Sequence, residues 1–482
     1  MTFDDVLELL DSPNPPNICA DSRNAKNGDI FVALKGTSHD GHNFIPDALR
    51  NGAKYVLCDK QKKPAAPTDD SWQLITIDDP ANAAAQLAQA SRQYPARGLT
   101  NLAVTGTNGK TTVAFLVRAV INNAAKKCGL IGTVCYDTTA DSANAILTTP
   151  DCFLIAKLQQ EMLEAGAKYM IIEASSHALT QNRLDQIPFE AAAFTNLTGD
   201  HLDYHQNKQN YLDAKTTLFT NLSPNAAAIL NKQAPEADHI ASNTRATILW
   251  YAIDSPADIT AHIQSMDTSG TTFTLQYRQS SAIVKTPLLG RHNVSNHLAA
   301  AGLCLATGFD LNTVAAGLCA LKTIPGRLEK IQWKGDLTVL IDYAHTDDAL
   351  INVLNTLKPL AKATLTVVFG CGGDRDRTKR PRMARAAEQL ADYIIVTSDN
   401  PRTENPESII REIISGFGNR NSPNIKVEPD RRKAISHAIQ NAAHDDIILI
   451  AGKGHETYQI IGTKKFDFSD KLVALECLAN RK

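Results

Sequence analysis

The segment that most narrows the choice of fold is Asn101-Leu102-Ala103-Val104-Thr105. This apolar run breaks on Gly106-Thr107-Asn108-Gly109 and passes at Lys110-Thr111-Thr112 into a helical pattern reaching residue 126. A strand that feeds a glycine-rich turn and then a helix is part of a βαβ unit, and such units build a mostly parallel sheet covered by helices. The glycines let backbone N–H groups turn toward a ligand, and the helix start adds the positive end of its dipole, so the turn suits phosphate. In that reading Lys110 reaches the β- and γ-phosphates and Thr111 coordinates Mg²⁺. The common pattern has a further glycine five places before Gly109, where this chain has Val104. A GTPase-type loop is therefore not expected, and an ATP site is. The plainer alternative is a glycine turn followed by a helix that happens to start with lysine.

Strands alternating with helices are predicted on both sides of this loop. Upstream lie a strand over 29–34, a helix over 44–51, a strand over 54–58 and a helix over 80–93, with Pro95 and Gly98 marking a linker. Downstream, strands are expected at 168–172, 191–194, 226–230 and 247–251. The alternating stretch 258–287 reads as a small antiparallel addition. Pro325-Gly326 marks a second boundary, after which strands recur at 338–341, 364–369, 393–397 and 446–450, each followed by a polar loop. Ligands of open α/β sheets bind outside the carboxyl ends of the strands, so that repeated placement points to a site. At 482 residues about three domains are expected. We place them at 1–97, 98–325 and 326–482, all α/β.

A net charge of -2 argues against a nucleic-acid-binding face. The nine cysteines are scattered without a CxxC pair, which fits a reducing compartment. The acidic start does not resemble a signal peptide, and no apolar run approaches the roughly 20 residues of a membrane helix. A cytoplasmic protein without membrane insertion is expected, and a monomer.

Three further features are suggestive. Glu173 ends the apolar run Tyr169-Met170-Ile171-Ile172, where an acid in a nucleotide-binding sheet would meet Mg²⁺; a solvated strand-end acid is the alternative. Asp200-His201-Leu202-Asp203-Tyr204-His205 gathers acids and histidines in one short stretch. Lys215 shares a helical stripe with Tyr211 and Phe219, so its head either snorkels to solvent or is buried for a reason.

Together these motifs resemble the Mur ligase family of peptidoglycan-building amide ligases. The resemblance runs nearly end to end, and adds Gly290-Arg291-His292-Asn293-Val294-Ser295-Asn296, Pro325-Gly326-Arg327-Leu328-Glu329 and Asp342-Tyr343-Ala344-His345. It implies a UDP-binding N-terminal α/β domain, a central P-loop ATPase domain with a mostly parallel sheet, and a C-terminal Rossmann-like domain. By the same resemblance Lys215 carries a carbamate (N6-carboxylysine) that holds a second Mg²⁺, with Glu173 and His201 also holding metal. Asn293 and Asn296 would lie near adenine, and Arg327 and Asp342 would touch the nucleotide. The implied chemistry joins a carboxylate to an amine through an acyl-phosphate, and ligands drawn from two domains imply closure of the third over the second.

Asp21-Ser22-Arg23 and Asp40-Gly41-His42 look like the uridine-binding part of the members that add the third residue or the terminal dipeptide. Thr148-Thr149-Pro150-Asp151 and Ser175 to Arg183 look like the third-residue group, whose substrate is UDP-N-acetylmuramoyl-L-alanyl-D-glutamate. Ser22, His42, Thr148, Thr149, Ser175, Gln181 and Arg183 are its expected contacts. Asp399-Asn400-Pro401-Arg402 matches the motif of members that add meso-2,6-diaminopimelate, whose second carboxylate a guanidinium binds bidentately. Arg375, Gly452 and Glu456 would complete that pocket. The rival readings are a lysine-adding ligase, a folylpolyglutamate synthetase and a silent ATP-binding scaffold. Two departures stand beside ligand loops: Asp347 where the family usually has proline, and Thr378 where it commonly has glycine.

Overall fold

A computed structural model of the chain describes residues 1–36, 39–65, 71–199, 202–333 and 335–481. Three α/β layers follow one another along it, with mostly parallel sheets. The first sheet is four-stranded and parallel, in the order Ile18–Cys19, Ile30–Val32, Tyr55–Asp59, Gln73–Ile77.

The second sheet has 11 strands. Within it Thr100–Thr105 is flanked on one side by Tyr169–Glu173 and on the other by Phe189–Phe194, all parallel. Chain order reverses at this strand, so the loop after it opens at a topological switch point. Period-two alternation sends Leu102 and Val104 into the core on one face and Ala103 into the core on the other. The helix Lys110–Asn123 covers the first face through Val113, Leu116, Val117 and Val120, against the helices Arg291–Ala306 and Leu311–Ala320. Each such side chain contributes about 1.5–3 kcal/mol by leaving water. That burial holds the phosphate-loop helix against the sheet.

The third sheet has six strands in the order Glu329–Lys330, Thr338–Asp342, Ile447–Ala451, Leu365–Phe369, Tyr393–Val396, Ile425–Val427. All its pairs are parallel except the first. A hairpin, Tyr458–Ile461 with Lys464–Asp467, follows. The sheets break between Ile77 and Thr100 and between Thr286 and Glu329.

Several expectations are refined. The antiparallel addition is present as Ile259–Asp267, Gly270–Tyr277 and Ser280–Thr286, and because Ile259–Asp267 pairs in parallel with Thr247–Ile253 it extends the central sheet. The linker at Pro95–Gly98 is a packed 3-10 turn: Asn101, fully buried, donates from Nδ2 to the carbonyls of Ala96, Leu99 and Pro188. The helix expected to reach residue 126 stops at Asn123, before Ala125 takes a positive φ of 56°. Cys128–Ile131, Cys135–Asp137 and Ser142–Asn144 are strands that the apolar pattern did not signal.

Candidate active site

The loop after Thr105 is threaded tightly over the end of the neighbouring strand. Gly106 has a φ of 145°, and a Cβ there would lie 1.9 Å from Thr195 Oγ1, so only glycine fits. Thr195 Oγ1 donates to the Asn108 carbonyl at 2.6 Å, and Asn196 Oδ1 accepts from the Asn108 N–H at 2.9 Å. Lys110 curls back to donate from Nζ to the carbonyls of Gly106 and Thr107 at 2.8 and 2.9 Å.

Glu173 is fully buried beside this loop. Its Oε2 accepts from Thr111 Oγ1 at 3.0 Å and from Thr133 Oγ1 at 2.9 Å, and its Oε1 from the Thr133 N–H at 2.9 Å. The strand-end acid is therefore no solvated group. A hydroxyl and a carboxylate are hard oxygen donors, and Mg²⁺ is commonly held by one or two carboxylates together with substrate phosphates. The donor set fits that ion.

Lys215 is 1% exposed, which rules out snorkelling. Its helix, Lys208–Thr220, turns it inward beside buried Tyr211 and Phe219. Nζ donates to the Gly106 carbonyl at 3.1 Å and lies 4.5 Å from the Tyr211 ring centroid. Lys110 and Lys215 thus converge on one carbonyl from opposite sides of the sequence. Asp200 and His201 lie outside the described residues.

The third domain reaches the same loop. Arg327 Nη2 donates to Thr111 Oγ1 at 3.1 Å, and Asn108 Nδ2 donates to Asp348 Oδ2 at 3.2 Å. Arg327 Nε is buried with no hydrogen-bond partner among the described residues, an arrangement suited to an anion. Asp342 accepts from the N–H groups of Leu328 and Ala344, both at 2.7 Å, and so shapes the turn that carries Arg327. Burial pushes its carboxyl above the ordinary range, against the pull of Arg327. Asn293 and Asn296 occupy the first two turns of Arg291–Ala306, joined to each other at 3.1 Å. A cleft of about 590 Å³ opens there, lined by Gly290, Arg291, His292 and Ser295 from the central domain and by Asn352 and Thr356 from the third.

A second group lies across Glu173 from the phosphate loop. Thr149 Oγ1 donates to the Glu173 carbonyl at 2.6 Å and accepts from the Ser175 N–H at 3.0 Å. Arg183 donates to the Thr149 carbonyl at 2.7 Å and to Gln181 Oε1 at 2.6 Å, and burial lowers its pKa. Thr148 Oγ1 lies 3.1 Å from Thr133 Oγ1. Asp151 caps the helix Cys152–Glu164. In the first domain Ser22 is buried, and the two ring nitrogens of His42 are both spent on the protein. Nδ1 donates to Asp40 at 2.6 Å and Nε2 accepts from the Asp59 N–H at 3.1 Å. His42 therefore shapes its loop, and its ring edge is committed there.

Profiles of three Mur ligase domains match the chain: the Mur ligase family catalytic domain at residues 16–92, the Mur ligase middle domain at 104–304 and the Mur ligase glutamate ligase domain at 326–454. The chain is 42% identical to the UDP-N-acetylmuramoyl-L-alanyl-D-glutamate--2,6-diaminopimelate ligase of Gloeobacter violaceus, over 98% of its own length and 96% of that protein. It is 40% identical to the enzyme of the same name from Geobacillus kaustophilus, over 97% of its length and 96% of that protein. The chain belongs to the Mur ligase family. A solved structure of a ligase with that name superposes with a TM-score of 0.68 at 33% identity, covering 100% of this chain and 99% of the other. A folylpolyglutamate synthase from Mycobacterium tuberculosis shares only the fold, at 19% identity and a TM-score of 0.64 over 83% of this chain and 96% of that one.

As in other open α/β sheets, the third domain of this Mur ligase gathers its loops at the strand ends. Asn400 Nδ2 donates to Glu456 Oε2 at 2.8 Å, which ties the loop at 399–402 to the loop at 452–456. Gly452, with a φ of 114°, lies where a Cβ would be 2.5 Å from Asp399 Oδ2. Arg402 donates from Nη1 to the Gly373 carbonyl at 2.8 Å, and Pro401 is buried, its carbonyl lying where a Cβ on Gly373 would be 1.9 Å away. Arg375 is exposed at the rim and donates to the Asp374 carbonyl at 3.0 Å.

Thr133, Thr195, Asn196, Asp348 and Lys453 were not singled out from the sequence. Thr195-Asn196 directly follows an apolar strand, the signal that did reveal Glu173. Thr133 follows a strand too short to be noticed. Lys453 stands inside the Gly452–Glu456 loop and is fully buried.

Proposed function

We propose that this Mur ligase adds meso-2,6-diaminopimelate to UDP-N-acetylmuramoyl-L-alanyl-D-glutamate with ATP, giving the UDP-muramoyl-tripeptide of peptidoglycan synthesis. The reading is carried by the joining of the 399–402 and 452–456 loops through Asn400 and Glu456, with Arg402 at their side. An anionic and a cationic head at one set of strand ends suit the zwitterionic far end of diaminopimelate. Arg402 would take the second carboxylate bidentately, and Glu456 the far ammonium. Lysine would leave Arg402 without an anion.

The nucleotide phosphates would lie on the Gly106–Thr112 loop, held by its N–H groups and Lys110, with Asn293 and Asn296 toward the base and Arg327 donating to the phosphates. Thr111, Glu173, His201 and a carbamylated Lys215 would hold Mg²⁺, which when bound offsets charge on the transferring phosphoryl group. Carbamylation suits Lys215: a carbamate keeps one N–H for the Gly106 carbonyl and brings negative charge to a place where two lysine heads converge. Thr148, Thr149, Ser175, Gln181 and Arg183 would orient the dipeptide, with Ser22 and the His42 loop at the uridine end. The substrate carboxylate attacks the γ-phosphate and ADP leaves. The resulting acyl-phosphate is opened by the amine through a tetrahedral intermediate, releasing phosphate. Preorganised donors aimed at the developing charge supply most of such catalysis.

Among the described residues no helix is long and apolar enough to cross a membrane. We place the reaction in the cytoplasm and the enzyme as a monomer. The test is phosphate release with ATP, Mg²⁺ and the UDP-linked dipeptide, comparing meso-diaminopimelate with L-lysine and weighing the product. Strong preference for diaminopimelate and a tripeptide mass are expected; turnover with neither amine would overturn the assignment.

A further inference from the structure

Lys453 takes no part in the proposed ligase reaction. Its side chain is 0% exposed, and its ammonium donates to Asn400 Oδ1 and to Glu456 Oε2, each at 3.0 Å, with the Tyr458 ring centroid 5.6 Å away. A buried ammonium is costly unless it is paired and hydrogen-bonded, and this one is satisfied by two residues of the amine-donor loops.

The consequences reach both partners. Asn400 Oδ1 accepts from Lys453 and from the Ile460 N–H at 3.0 Å, so its amide is oriented with Nδ2 toward Glu456. Glu456 Oε2 thereby receives two donors. Oε1 carries no hydrogen bond among the described residues, and the side chain is 15% exposed, which leaves that oxygen for a ligand.

Charge follows from the same geometry. Glu456 and buried Asp399 supply two negative groups and Arg402 one positive, and Lys453 adds a second positive charge directly against Glu456, which balances the four. A donor whose far end carries ammonium and carboxylate is neutral there. A donor whose far end is a lone ammonium must rely on a carboxylate that Lys453 already offsets. We propose that Lys453 is a positioning and specificity-determining residue, which fixes Asn400 and Glu456 and sets the site's charge against donors with a cationic far end. This inference rests on the proposed ligase reaction.

The test uses the full-length enzyme with ATP, Mg²⁺ and the UDP-linked dipeptide, and measures kcat and KM for meso-diaminopimelate and L-lysine separately. Lys453→Gln keeps a donor for Asn400 but loses the charge; Lys453→Arg keeps the charge. In Lys453→Gln the diaminopimelate-to-lysine ratio of kcat/KM is expected to fall about tenfold or more, mainly through KM of the amine, with KM of ATP unchanged. Lys453→Arg should keep the wild-type ratio. If Lys453 only braces the loops, both amines lose by one factor and the ratio stays, which overturns the inference. Should Lys453→Gln fail to fold, as thermal unfolding would reveal, Asn400→Asp places a negative charge on Lys453. It must lower the ratio in the same way, and an unchanged ratio refutes the inference. Wild-type turnover with neither amine would instead refute the ligase reading itself.

Discussion

Thr133 offers a sharp test of how the buried acid is held. Glu173 takes hydrogen bonds from Thr111 Oγ1, the Thr133 N–H and Thr133 Oγ1, all between 2.9 and 3.0 Å. The Thr133 hydroxyl has one proton, spent on Glu173, so the 3.1 Å contact with Thr148 makes Thr148 the donor. Thr133→Val has nearly the same shape and keeps the backbone N–H, but removes one donor from Glu173 and faces Thr148 with a methyl. A hydrogen bond to a charged group contributes about 1.5–3 kcal/mol. If the full amount is felt in the transition state, kcat falls roughly 10- to 100-fold. Phosphate release measured against Mg²⁺ concentration should show that fall, a higher Mg²⁺ requirement and an unchanged KM for the amine. Thr133→Ser should restore activity. A Thr133→Val enzyme with wild-type kcat, or one whose main defect is in amine KM, would refute the claim that Thr133 sets Glu173.

Lys215→Ala should lose about 100-fold or more in kcat while keeping the fold, with partial rescue by a short carboxylic acid that replaces the carbamate oxygens. Near-normal activity would sink that role. Arg402→Lys replaces a bidentate fork by a point charge and should lower kcat/KM for diaminopimelate by about 10- to 100-fold with kcat little changed, as steady-state kinetics would show. Burial drives His297 down to about 4 from 6.5, so it is folded neutral and the unfolded chain binds the extra proton. Its contribution, on the order of 3 kcal/mol, is present above pH 6.5 and lost as pH falls toward 4. Urea midpoints should drop across that window, and His297→Asn should flatten the slope. Small-angle scattering should show compaction when nucleotide and dipeptide substrate bind, because the nucleotide would be held from two domains at once, drawing them into the arrangement in which Arg327 already meets Thr111.

Sequence pattern revealed what is local. The strand, glycine turn and lysine at 101–112 are contiguous, and Glu173 stands out because it ends four apolar residues. The strand Cys128–Ile131 escaped because it is four residues long and includes Gly129, which leaves too little alternation to read. Thr133, just beyond it, escaped for the same reason. Burial of Lys215 could not be decided from its stripe, since Tyr211 and Phe219 fix the helix face but not what covers the lysine head. That depends on the Gly106 carbonyl, more than 100 residues away in the chain. Pairing of the 399–402 and 452–456 loops depends on strand order: Ile447–Ala451 inserts between Thr338–Asp342 and Leu365–Phe369, and alternation of strands and helices does not specify such an order.

The two departures from the family pattern are linked through Arg382 and Asp376. A proline at position 347 would start the helix Asp347–Leu357 by fixing φ. Asp347 starts it differently, as a negative charge in the first turn, while Thr346 accepts from the Ala349 N–H. Asp347 then does what proline could not: it pairs at 3.0 Å with Arg382, whose other end lies 3.8 Å from Asp376. Asp376 in turn accepts from the N–H and hydroxyl of Thr378, at 2.8 and 2.7 Å. Glycine at 378 would offer no hydroxyl to Asp376. Both residues therefore belong to one run of contacts, from the helix start whose next residue, Asp348, meets Asn108 of the phosphate loop, to the segment that carries Arg375; as partly exposed pairs these contribute at most about 1 kcal/mol each. Each residue beside the inferred ligand loops thus makes a contact that proline at 347 or glycine at 378 could not make.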